Sequence, residues 1–207
     1  GCNIYLRDLV DEATEVVSQA VGGGQANDES TWPAISGDGR FVLFVSDSIN
    51  LTPLDLNGSK DVFLRDMQTN AVTLVSSSSA NVQGERDSYA PDISTDGRYA
   101  VFTSFSPNLV AGDTNGTYDI FRKDLLTGLN ERVSASSTGV LGNARSENAS
   151  VSADGRYVVF ESFADNLVAG DTNGVLDVFR KDMLTGAIDL VSKSAFGVPG
   201  GANSYMV

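Results

Sequence analysis

The sequence predicts an all-β fold made of four-stranded antiparallel units stacked face on face. Three observations carry this. Motifs recur at a fixed interval, each interval holds four short β-like runs, and turn residues separate the runs. Asp38-Gly39-Arg40, Asp96-Gly97-Arg98 and Asp154-Gly155-Arg156 are spaced by 58 residues, as are Asp61, Asp119 and Asp177. Residues 88–145 and 146–203 align without gaps and share 34 of 58 positions, which duplication of a common unit explains. Full units therefore run 30–87, 88–145 and 146–203. Residues 1–29 match the second half of a unit, and 204–207 match the start of another.

Within each unit the first strand, a, is expected at 32–36, 90–94 and 148–152. A Ser-x-Asp-Gly turn follows, where Asp bonds the backbone ahead and Gly supplies positive φ. Strand b, at 40–47, 98–105 and 156–163, reads Phe41-Val42-Leu43-Phe44 or Tyr157-Val158-Val159-Phe160. It is apolar on both faces and must be covered on both. A loop of about a dozen residues leads to strand c at 61–66, 119–124 and 177–182. Thr127-Gly128, Thr185-Gly186 and Thr69-Asn70 then turn the chain, since Asn also tolerates the left-handed region. Strand d follows at 72–76, 131–135 and 188–192. Residues 8–21 have a weak amphipathic helical pattern, but the repeat register assigns them to strands c and d.

Four-stranded units that need cover on both faces are blades of a β-propeller. Ile93-Ser94-Thr95-Asp96-Gly97-Arg98-Tyr99-Ala100-Val101-Phe102 resembles the WD40-like (PD40) repeat of TolB-type β-propellers, and 35–44 and 151–160 repeat the likeness. The Pro usual before the Asp is replaced by Gly37, Thr95 and Ala153. The resemblance spans the chain and implies an exported bacterial protein, extracellular or periplasmic. About 3.5 repeats make an incomplete or shared ring. A part of a longer propeller or a homo-oligomer is therefore expected.

Composition removes several functions. Of 207 residues, 14 are Lys or Arg and 27 Asp or Glu, for a net charge of −13. Such a surface repels phosphate, so nucleic acid is not an expected partner. Without His there is no Ser-His-Asp triad. No apolar run of about 18 residues is present, so no membrane insertion is expected. A single Cys forms no internal disulfide, and no leader pattern is visible. Glu85, Asp87, Glu147 and Glu161 do not recur as a set, so paired-carboxylate catalysis is not expected and the chain reads as a non-enzyme.

The b–c loops carry the candidate site. They share Asp-x-Asn-Gly-x-x-Asp as Asp55, Asn57, Asp61; Asp113, Asn115, Asp119; and Asp171, Asn173, Asp177. Hard cations such as Ca²⁺ take six to eight oxygens, and this pattern offers carboxylates and amide carbonyls around a tight bend. Asn-Gly with a capping Asp is equally ordinary turn chemistry. Both readings stand, with at most three calcium sites. Arg122-Lys123-Asp124 and Arg180-Lys181-Asp182 are expected to pair across strands or between blades. Trp32, where later units have Ala90 and Asn148, is either packing or a contact surface. The expected function is a non-catalytic binding or scaffold propeller with a protein partner or self-association. The alternatives are a structural subunit with blades completed between copies, or an accessory propeller of a larger enzyme.

Overall fold

A computed structural model describes residues 2–20, 22–53 and 55–206. Among these it contains strands and no helix. β1 (Tyr5–Arg7) and β2 (Thr14–Val16) form a two-stranded sheet, so the helical pattern over 8–21 is overridden by the repeat register. The first four-stranded sheet is β3 (Ser30–Ile35), β4 (Phe41–Ser46), β5 (Asp61–Asp66) and β6 (Val72–Leu74). The second is β7 (Ser88–Ile93), β8 (Tyr99–Ser104), β9 (Asp119–Asp124) and β10 (Asn130–Arg132). The third is β11 (Ser146–Val151), β12 (Tyr157–Ser162), β13 (Asp177–Asp182) and β14 (Ile188–Leu190). In each sheet the strands lie in chain order and pair antiparallel.

The local rules are repeated with each turn. Ser36 Oγ donates to Asp38 Oδ1 (2.6 Å), which also accepts the Arg40 N–H (3.0 Å). The Phe41 N–H closes the motif on Ser36 Oγ (3.0 Å). Arg40, Arg98 and Arg156 then reach Asp66, Asp124 and Asp182 at the far end of strand c, each at 2.8 Å. The guanidinium holds Asp124 down at about 2, and the same contact lowers Asp66 and Asp182. These carboxylates also accept N–H groups of the c–d turn, such as Leu126 N (2.9 Å).

Stacking is directional. One face of each blade is aliphatic and the other carries a phenylalanine pair. Phe102 and Phe121 stack with centroids 5.9 Å apart, and they bury against Leu43, Val45, Val62 and Leu64 of the preceding blade. Phe160 and Phe179 meet Val101, Ile120 and Val133 in the same way. Phe44 and Phe63 meet Ile4 and Val17 of the half-blade. This double cover is why strand b is apolar on both faces.

The basic residues of strand c divide their roles. Arg122 pairs with Glu131 across the sheet (2.6 Å) and Arg180 with Asp189 (2.7 Å). Between blades the contact is charge to carbonyl and not an ion pair. Lys123 Nζ donates to Ser77 O (2.8 Å) and Lys181 Nζ to Ala135 O (2.6 Å), both in the preceding blade. Burial lowers the Lys123 amine to about 8.

Candidate functional site

Each b–c loop ends on an aspartate at the first residue of strand c. Asp61, Asp119 and Asp177 are fully buried there. A serine just past strand d serves each one. Ser76 Oγ donates to Asp61 Oδ1, while Ser134 and Ser192 donate to Asp119 and Asp177 at 2.5 Å. The same hydroxyls accept the Val62, Ile120 and Val178 N–H groups at 3.0 to 3.1 Å.

The loop asparagines are turn and clamp residues. The Nδ2 groups of Asn57, Asn115 and Asn173 donate to Gly84 O (2.7 Å), Gly142 O (3.0 Å) and Gly200 O (2.8 Å). Their Oδ1 atoms accept the N–H groups of Ser59, Thr117 and Val175. Gly58, Gly116 and Gly174 have φ of 65°, 64° and 66°, the bend the motif requires.

The opening aspartates turn inward to face the closing ones, and the three pairs differ. In the first blade Gln83 Nε2 bridges Asp55 Oδ1 (2.8 Å) and Asp61 Oδ2 (2.9 Å). In the second, Arg132 lies 2.7 Å from Asp113 and 3.9 Å from Asp119, and Asn115 Nδ2 also donates to Asp119 Oδ2 (2.9 Å). In the third, Asp171 and Asp177 have neither an amide nor a guanidinium between them. Among the described residues no three His, Cys, Asp or Glu side chains converge, so each loop brings two carboxylates and no more. Gln83 and Arg132 were not singled out from sequence, because they lie outside the repeated positions. Their counterparts are Leu141 and Pro199, and Leu74 and Leu190.

Burial pushes Asp61 up from the usual 3.8 to about 6, against the hydrogen bonds of Ser76 and Gln83. The folded state then holds more protons than the unfolded chain between about pH 4 and 6, so this group's contribution to stability falls as pH rises through that window. Asp61→Asn is expected to remove that slope in urea denaturation across pH 4–6. An unchanged slope assigns it to another group.

A second feature lies on the first strands. β3, β7 and β11 adjoin one another from blade to blade and so line the inner edge of the stack. Each has a bulge, between Thr31 and Ala34, Tyr89 and Asp92, and Glu147 and Ser150. Trp32, Ala90 and Asn148 sit in these bulges with φ of 54°, 48° and 54°. This is the left-handed region, strained for Trp and Ala and common at functional positions. Together with Pro91, Ser150 and Met206 they line a groove of about 330 Å³. Trp32 is 57% exposed in it. Beneath the groove, the buried Glu161 accepts Asn148 Nδ2 (2.9 Å) and the Met206 N–H (2.6 Å). Glu147 stands directly across the ladder from Glu161, and no group of three acidic side chains converges there among the described residues.

The backbone superposes on solved propellers. TolB from Acinetobacter baumannii superposes with a TM-score of 0.55 at 22% identity, over 95% of this chain and 39% of that one. The chain has the TolB-type β-propeller fold. The propeller domain of the Trilobed protease from Pyrococcus furiosus matches at TM-score 0.51 and 15% identity, over 82% of this chain and 44% of that one. The tricorn protease matches at 0.52 and 14%, over 87% and 16%. The TolB-type chain thus spans less than half the length of these proteins. No family model and no curated protein matches the sequence. Among the described residues no helix is long and apolar enough to cross a membrane.

Proposed function

We propose that this TolB-type propeller is a non-catalytic scaffold of an exported bacterial protein, and that it takes a protein segment along the inner bulges. The observation that carries the reading is Trp32. A large aromatic held exposed in a strained backbone conformation, with an apolar groove beside it, has the character of a binding anchor. The TolB likeness and the acidic, His-free composition favour an exported binding module over an enzyme. The protease propellers with the same fold keep an accessory domain of a larger enzyme as the second reading.

A photo-cross-linking residue at position 32 of the full-length protein, expressed with its export route intact, tests this. A discrete protein adduct at 32, missing when the probe replaces the exposed Leu184, is the expected result. Equal labelling at both positions, or none at 32, overturns it. Trp32→Ala is expected to leave the melting temperature within about 2 °C, since the ring buries little surface.

A further inference from the structure

The third blade lacks both bridging groups of the other two. Leu190 and Pro199 stand where the second blade has Arg132 and the first has Gln83. Asp171 is 7% exposed and Asp177 is 0% exposed. Asp177 Oδ1 accepts Ser192, yet its Oδ2 has no hydrogen-bond partner, and neither has Asp171 Oδ1. Burial and then the charge of Asp177 raise the Asp171 carboxyl, with Asp165 adding further negative potential.

Buried carboxylate oxygens without a donor are costly, and in each of the other two blades a positive or amide group stands between the paired carboxylates, although Asp55 Oδ2 in the first also lacks a partner. One supplies a cation of its own, Arg132, and the other an amide, Gln83. We propose that the Asp171–Asp177 pair is the one divalent-cation site among the described residues, and that it takes calcium. The donors are carboxylate oxygens with no nitrogen or sulfur among them, which favours a hard cation. Asn173 shapes the loop through Val175 and Gly200, and water completes the coordination. With only two carboxylates, affinity falls in the weak range of extracellular modules, about 10⁻⁴–10⁻³ M. The site stands on the third loop alone and holds whether or not the bulge groove takes a partner.

The test uses metal-stripped protein and calcium chloride. One ion per chain is expected by titration calorimetry. The melting temperature is expected to rise by about 3–6 °C at ten times the dissociation constant. Asp171→Asn removes the response. Pro199→Gln recreates the Gln83 bridge, so it raises the metal-free melting temperature and also removes the response. This variant keeps the test decisive if Asp171→Asn folds poorly. Three ions per chain, no response in the parent protein, or an equal response in Pro199→Gln overturns the proposal. A pair that is stabilised by acidification to pH 5 and indifferent to calcium holds a shared proton, which also overturns it.

Discussion

Phe102→Ala is expected to lower stability by about 3–5 kcal/mol, the range for emptying a buried phenylalanine site. Phe102 is fully buried, stacks on Phe121, and fills the junction between the first and second full blades. The cavity has no means of closing, because strands β4 and β8 on either side of it are each fixed by ladders to both neighbours. The effect also has a direction. Phe102 packs on Leu43, so truncating both should cost less than the sum of the two single changes. Phe102 and Val178, which lies on the far face of the third blade, should add independently. Urea denaturation of the single and double variants measures both. A loss below about 1 kcal/mol for Phe102→Ala contradicts the packing described.

Gly155→Ala should be the other severe change, at about 2–5 kcal/mol from left-handed strain plus overpacking. Gly155 has φ of 73°, and an added Cβ would lie 1.9 Å from Tyr99 Cδ2. The ring has no easy retreat. It lies between the guanidinium groups of Arg98 (4.9 Å) and Arg122 (4.6 Å), and Arg122 Nη1 also donates to Gly155 O (2.7 Å). Gly128 is the control. Its φ is 78° with nothing within 4 Å, and Asn70 already fills the equivalent turn at 63°. Gly128→Asn should therefore be near neutral, while Gly155→Asn should be as damaging as Gly155→Ala. Melting curves of the three variants settle it, and equal losses at 128 and 155 would refute the steric account.

Strand c was legible to the residue, because Asp at each end is a fixed point of the repeat: Asp61 and Asp66 bound β5, and their copies bound β9 and β13. Strand d is shorter than its sequence suggests. It was expected to run to Ser76, but β6 stops at Leu74, where the Ser76 hydroxyl turns to Asp61 and Ser77 pairs with Gln83. Strand a begins two residues early, at Ser30, Ser88 and Ser146, and bulges at Trp32, Ala90 and Asn148. Nothing in Trp, Ala and Asn as a set announces positive φ, so the bulge was not readable. The replaced Pro before the turn Asp does have a physical counterpart. The Gly37 N–H donates to Thr95 O (2.9 Å), and a Cβ there would lie 2.3 Å from Thr95 Cγ2. The loop aspartates were found because they repeat. Gln83 and Arg132 escaped because they do not, and the informative signal was the position at which one unit departs from its copies.

The phenylalanine face and the aliphatic face of a blade are not copies of each other, and this restricts symmetry. A two-fold pair would set like against like, the half-blade face with Tyr5 on its own image or the Val178 face on its own. Contacts of the observed kind are heterologous and join head to tail. Copies of this chain that associate through their blade faces should therefore make closed rings or open filaments, with every subunit pointing the same way around.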